Sequence, residues 1–146
     1  MIFQRINGGD AEKVFAIFYN VQGATITAGY GCTLDTATCD GVRITQATTG
    51  TFSLLVGVAN SSILNSTYGL VQIYGFKASA FVTNDTSQAI TAGDILISVN
   101  AANHFARSAA GNGTQIAGAG LVVSGQAVST ATTPAAAATK VLIRCM

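Results

Sequence analysis

The four residues Ile26-Thr27-Ala28-Gly29 recur 64 positions later as Ile90-Thr91-Ala92-Gly93. At the same offset, nine of the 31 residues in the range 13–43 are identical to their counterparts. Self-similarity at a fixed period is the mark of an internal repeat. The chain is therefore predicted to contain two copies of one unit, residues 12–75 and 76–146.

Each copy is predicted to contain the same series of strands. The repeated block lies between two apolar segments, and its glycine supplies the positive φ that a tight turn needs. A short arginine-containing segment, a longer apolar strand and a closing strand follow. After short insertions, Gly57 aligns with Gly125 and Val71 with Val141. The closing strand of the first copy continues through Gly75 into the second copy, which predicts one long strand with a bulge or bend at this glycine.

The composition is typical of a β protein. Thr, Val, Ile, Phe and Tyr favour pleated strands, and no segment has the period of a convincing amphipathic helix. We expect an all-β fold, a sandwich or partly closed barrel of about ten short strands built from an internal duplication. Residues 1–12 form an N-terminal arm outside the repeat, and residues 13–146 form a single β domain made of the two pseudo-repeats.

Charged side chains are scarce. They make up 9% of the chain, against about 25% in a typical soluble domain. The net charge of +1 predicts no basic surface for nucleic acid or for an anionic membrane. No spanning segment and no signal segment are recognisable, so we expect neither a membrane nor export. Because so few charges do little to repel other copies, we expect neighbours to cover much of the surface in a homo-oligomer.

The residues offer little for catalysis or metal binding. Cys32, Cys39 and Cys145 lack paired C-x-x-C spacing, and His104 is the only histidine, so no zinc site is predicted. The six scattered acids do not suggest a catalytic pair, and no nucleophile elbow is present. We expect no enzymatic activity, no catalytic residue, no metal and no cofactor. Cys32 and Cys39 could face each other across a hairpin, but we expect the cysteines to be small, reduced core residues.

Two features are candidates for contact with a partner. The repeat retains an arginine at positions 43 and 107 while most other charges differ. Each guanidinium could hydrogen-bond carbonyls within its own unit or contact another subunit, and both interpretations stay open. The arm carries apolar side chains without a counterpart in the repeat, and we expect it to dock on a neighbour. The predicted interface residues are Ile2, Phe3, Arg5, Ile6, Arg43 and Arg107.

Three phrases carry a resemblance to a known family. They are Ile-Thr-Ala-Gly-Asp-Ile-Leu at 90–96, Leu-Val-Gly-Val-Ala at 55–59 and Gly-Leu-Val-Gln-Ile-Tyr-Gly at 69–75. In texture and phrase order, over most of residues 13–145, the chain resembles the head decoration, or capsid cement, proteins of tailed bacteriophages. The resemblance implies a structural virion protein on the capsid exterior, assembled in the bacterial host cytoplasm. Its implied partner is the major capsid protein, and its implied state is a homotrimer. The family defines no catalytic residues.

A receptor- or glycan-binding β module of a phage fibre or tail is the alternative interpretation. Glycan sites usually expose aromatic rings, and this chain has no tryptophan and four tyrosines. The composition therefore favours the decoration protein, whose copies would stabilise the shell because they bind the assembled state better than its separated parts.

Overall fold

The computed structural model describes residues 2–4, 12–38, 40–46, 54–83, 92–98, 104–107, 120–122 and 137–145. This part of the chain consists of strands and turns and has no α-helix, so the expected all-β class is confirmed. In chain order the strands are β1 (Ile2–Gln4), β2 (Lys13–Asn20), β3 (Gly31–Leu34), β4 (Arg43–Thr45), β5 (Leu55–Ala59), β6 (Tyr68–Thr83), β7 (Ile95–Ser98), β8 (Phe105–Arg107), β9 (Gly120–Val122) and β10 (Ala137–Arg144). They are joined in one sheet with the order β1-β2-β4-β3-β5-β6-β10-β9-β7-β8.

The strands from β2 to the first half of β6 pair in a closed cycle, which we call the first cycle. β2 pairs with β4 in parallel, β4 with β3 and β3 with β5 antiparallel. β5 pairs with β6, and β6 returns to β2, both antiparallel. Each strand of the cycle thus has a neighbour along part of both edges, which limits the open edges that favour aggregation.

The second half of β6 and the strands after it form a second cycle with the same pattern of pairings. β6 pairs with β8 in parallel, β8 with β7 and β7 with β9 antiparallel. β9 pairs with β10, and β10 returns to β6, both antiparallel. In both cycles the opening strand pairs in parallel with the third strand, so the two halves share their connectivity as well as their sequence pattern.

The strand pairings assign Gly57 a different counterpart in the second copy from the one that the sequence alignment predicts. Cys32 pairs with Gly57 in the first cycle, and Leu96, 64 positions after Cys32, pairs with Gly120 in the second. The structural counterpart of Gly57 is therefore Gly120, and Gly125 lies outside the described residues. Several glycines occur in this region of the sequence, so an alignment on glycine alone could not choose between them.

Gly75 lies in the middle of β6, where the two cycles meet. There β6 pairs with β2 on one edge and with β10 on the other, and the β2 ladder shifts register between Val14 and Phe15. The φ angle of Gly75 is 99°. The buried amide of Gln72 donates to the carbonyl oxygens of Tyr74 at 3.3 Å and Phe76 at 3.0 Å. The predicted irregularity is present, and a buried donor supports the backbone around it.

Two clusters of buried apolar side chains form the core: one comes from the first cycle, and the other comes from the second cycle together with Val58 of β5. β6 contributes to both clusters because its first half belongs to one cycle and its second half to the other. The first cluster contains Val14, Ile26, Cys32, Ile44, Ala59, Ile63, Val71 and Ile73. The second contains Val58, Ala80, Val82, Leu96, Phe105, Val141 and Ile143.

Asn20 is a buried polar residue at the end of β2. Its side-chain nitrogen donates to the carbonyl oxygens of Ala24 at 2.8 Å and Ile63 at 2.9 Å, and its side-chain oxygen accepts the N–H of Gln22 at 2.9 Å. All three partners are backbone groups that lie beyond the regular ladders. The amide therefore satisfies the backbone where the chain leaves β2, which explains a polar side chain at this inward position.

Residues 2–4 of the arm form a strand that pairs with their own domain. β1 pairs antiparallel with the start of β2, with Ile2 opposite Phe15 and Gln4 opposite Lys13. For residues 2–4 this differs from the expectation that the arm docks on a neighbour. The reason is that β2 leaves its edge open on this side until β4 begins opposite Tyr19.

Replacing Gly75 by alanine is expected to lower the free energy of unfolding by about 2 to 4 kcal/mol. A left-handed φ costs an alanine roughly 1 to 2 kcal/mol, and the new Cβ would overlap the carbonyl oxygen of Glu12, which forces a further shift. Gly23→Ala is the matched control, since Gly23 has a φ of 83° and open space around it. Urea unfolding measures both variants, and equal midpoints would contradict the role of the β6 junction.

Candidate binding surface

Arg43 is the predicted interface residue whose side-chain contacts the structure describes. It begins β4 and pairs with Tyr19 of β2. In the second cycle Thr83, 64 positions after Tyr19, pairs with Ala106, so Arg107 comes one position too late. The two arginines match in the sequence but do not occupy equivalent ladder positions. Arg5 and Ile6 lie outside the described residues.

The Arg43 side chain is held by the turn that precedes β4. Its Nε lies 3.2 Å from a carboxylate oxygen of Asp40, and its guanidinium donates to the hydroxyl of Thr38 at 2.6 Å. The other Asp40 oxygen accepts the N–H groups of Val42 at 2.9 Å and of Arg43 at 3.0 Å. These described bonds go to side chains, not to the carbonyls that an internal tie would use, and 41% of the Arg43 side chain is exposed.

The Asp40 carboxylate is kept ionised by its surroundings. The N–H groups of Val42 and then Arg43, followed by the Arg43 charge, lower the pKa of Asp40 below its ordinary value. Gly41 takes a positive φ of 71° in the same turn, as the Asp-Gly sequence predicts for a hairpin connection. The turn therefore presents a fixed cation and a fixed anion side by side at the surface.

Two tyrosines continue this surface across the neighbouring strands. Tyr19 lies beside Arg43 in the β2–β4 ladder and opposite Tyr68 in the β2–β6 ladder. The two tyrosine rings are 5.0 Å apart between centroids at an interplanar angle of 59°. Together with Asp40 and Val42 they line a shallow hollow of about 430 Å³. We call Arg43, Tyr19 and Tyr68 the surface row.

An apolar face adjoins the surface row on β2. Ile17 precedes Tyr19 by two positions, so the two side chains point to the same side of the sheet. Ile17 is 56% exposed and lies opposite Leu70 of β6, while Tyr68 is 66% exposed. The surface is thus a continuous strip of aliphatic and aromatic side chains that ends at an arginine.

The sequence of β2 itself carries a signal for this strip. Along β2, Val14, Ala16 and Phe18 face the first core cluster. Phe15 and Ile17 point to the other side of the strand, where Phe15 is buried within the chain and Ile17 is exposed. Both sets are apolar, whereas a strand with one solvated face usually alternates apolar with polar residues. A strand that is apolar on both faces indicates that its outer face is also covered by something.

The described residues bring no set of metal-ligating side chains together. No three His, Cys, Asp or Glu side chains cluster in this part of the chain. Partial burial lowers the pKa of His104, which favours the neutral imidazole. The described part of the chain contains no helix with the length and apolar character needed to cross a membrane.

Comparison with known proteins adds no family. No protein-family model matches the sequence, and no curated protein is significantly similar to it.

Cys32 and Cys145 are expected to resist alkylation in the folded protein at pH 8. Neither is in a disulfide, and burial raises the pKa of each thiol to about 12. A thiol with such a pKa leaves roughly one molecule in 10,000 as the reactive thiolate at pH 8, and unfolding returns it to about 8.5. Peptide mass analysis after iodoacetamide treatment, with and without urea, measures this protection. Equal labelling of Cys32 under both conditions would contradict its burial.

Proposed function

We propose that this chain is a structural protein of a phage virion that binds the outside of the capsid and stabilises contacts between major capsid proteins. The observation that carries the proposal is the surface row of Arg43, Tyr19 and Tyr68, of which Arg43 and Tyr19 are half-buried and Tyr68 is exposed, on a β domain with few charges. Tyrosine and arginine are among the residues most enriched at binding hot spots. A row of such residues beside an apolar face is suited to binding the surface of another protein.

The proposed mechanism depends on binding alone and requires no chemical reaction. Copies that bridge neighbouring capsid proteins bind the assembled shell better than its separated parts, and this differential affinity stabilises the shell. The proposal therefore includes no enzymatic activity and no cofactor, with the capsid exterior as the location. A homotrimer is the proposed state, with neither nucleic acid nor membrane as a partner.

The finer architecture belongs to the same proposal. We infer that each cycle of five paired strands curls into a small, partly closed barrel, and that the two barrels arose by duplication of residues 12–75 as 76–146. The identical pairing pattern of the two cycles supports this inference, as does the division of the core into two apolar clusters, to the second of which the first cycle contributes Val58. Small antiparallel barrels fill their interiors with side chains, which fits two cores in one domain.

Arg43→Ala is expected to weaken binding to emptied phage heads at least tenfold, because it removes the charged end of the surface row. A tenfold loss corresponds to about 1.4 kcal/mol, which is within the range of an interface hot spot. Arg144→Ala is the matched control, because Arg144 is an exposed arginine on a different strand, β10. Co-sedimentation with heads measures the affinity. Equal binding by the two variants would remove Arg43 from the interface.

Deleting residues 1–9 is expected to leave the β domain folded and to weaken its retention on heads. Both cycles begin at β2 or later, so their ladders do not need the arm. The deletion removes Ile2, Phe3 and Ile6, and burying one such side chain against a partner contributes roughly 1.5 to 3 kcal/mol. Circular dichroism and co-sedimentation test the two parts of this prediction. Unchanged retention would show that the arm only extends its own sheet.

The surface row also supports the second candidate, a receptor- or glycan-binding module. Paired tyrosine rings beside Asp40 and Arg43 in an open hollow combine a stacking surface with hydrogen-bonding groups. Binding of the protein to a set of bacterial surface glycans, lost in Tyr68→Ala while head binding is retained, would favour this function over capsid decoration.

A further inference from the structure

The two cycles touch through a turn of the first and the shared strand of the second. Gly29 lies in this turn, and its carbonyl oxygen accepts the N–H of Phe81 at 2.9 Å. The next residue, Tyr30, packs its ring edge-on against Phe81 with centroids 5.1 Å apart. A Cβ on Gly29 would lie only 2.7 Å from the carbonyl oxygen of Ser79. The turn is thus seated closely on the second half of β6.

Because the unit is repeated, the chain contains a second turn like the one at Gly29 and a second strand position like that of Phe81. At the offset of 64, Gly29 corresponds to Gly93, which has the same kind of φ, 95° against 87°. Phe81 corresponds to Ile17 on β2. The inward neighbours agree with this register, since Ala80 is buried in its core cluster and Ala16 packs against the other.

Neither the Gly93 turn nor the β2 face at Ile17 makes the equivalent contact within the described part of the chain. No described atom lies within 4 Å of a Cβ built on Gly93. Ile17 is 56% exposed, whereas its counterpart Phe81 is covered by Tyr30. On the edge of β2, the β1 ladder ends at Phe15 and the β4 ladder begins at Tyr19, so no described strand pairs with Ile17 on that edge.

We propose that a second copy of this chain docks the turn at residues 92–95 onto the β2 face around Ile17, as the Gly29 turn docks on β6 within one chain. The contact is head-to-tail: each molecule offers a turn at one end and a receiving face at the other. It names the two surfaces of the proposed homo-oligomer and rests on that part of the proposed function, but it does not need the capsid.

The residues that differ between the internal contact and the proposed one are compatible with it. Asp94 replaces Tyr30, and Ile95, which is 37% exposed, replaces Gly31. Ile95 adds apolar area that the internal contact lacks. The proposed contact thus has no equivalent of the aromatic pair of Tyr30 and Phe81, and it relies on the apolar side chains of Ile17 and Ile95 instead.

A head-to-tail contact makes rings when its rotation closes and filaments when it does not. Sedimentation of the wild-type protein at tens of micromolar is expected to show a discrete oligomer. Ile17→Glu and Ile95→Glu, which alter the receiving face and the turn respectively, are each expected to give monomers. Leu64→Glu is the control, because Leu64 is 61% exposed and lies outside both surfaces. Circular dichroism checks that all three variants are folded.

Mixing the two monomeric variants tests the geometry directly. The Ile17→Glu chain keeps an intact turn and the Ile95→Glu chain keeps an intact face, so the mixture is expected to form one-to-one dimers. A monomeric wild type, or an effect of Leu64→Glu equal to that of Ile17→Glu, would overturn the proposal. Loss of assembly in Ile17→Glu alone would also overturn it, because the β2 faces would then meet each other symmetrically. Head binding is measured separately, so its failure is distinguishable from these outcomes.

Discussion

The structure depends on one shared strand, β6, and on the bend at Gly75 in its middle. The first half of β6 closes one cycle of strands and the second half closes the other. Neither cycle can be completed without its half, and the positive φ of Gly75 fixes how the two halves are joined. The buried amide of Gln72 then satisfies carbonyl oxygens on both sides of the bend. A single backbone position therefore couples two separate cores.

The scarcity of charge and the apolar outer side chain Ile17 of β2 have the same consequence: they leave uncharged surface facing water. An outward isoleucine such as Ile17 can remain in water, because single exposed apolar residues are common on proteins. Here Ile17 continues into Tyr19 and Tyr68 without an intervening charge, and few other charges are available to surround the strip. Larger patches of this kind mark interaction sites. The strip therefore supports the proposal that a partner covers this face.

Much of the fold could be predicted from the sequence because local signals and the repeat agreed. The block ending at Gly29 fixed a turn before β3, and its copy ending at Gly93 fixed the turn before β7. The register of β9 could not be predicted, because pairing depends on distant partners and several glycines offer similar alignments. The surface row was equally hidden: Tyr19, Tyr68 and Arg43 are far apart in sequence and meet only through two ladders. Spacing along a chain does not report which strands become neighbours.

The arm limits what another molecule can add to the open edge of β2. An unpaired strand edge invites addition of a strand from another molecule, and natural proteins limit such edges. β1 covers the edge as far as Phe15, and β4 covers it from Tyr19. The remaining gap covers residues 16–18, and a turn needs less of a strand edge than a pairing strand does: the Gly29 turn sits on β6 with a backbone hydrogen bond from Phe81. The arm thus favours docking through a turn over strand addition, and this difference separates an ordered assembly from an aggregate.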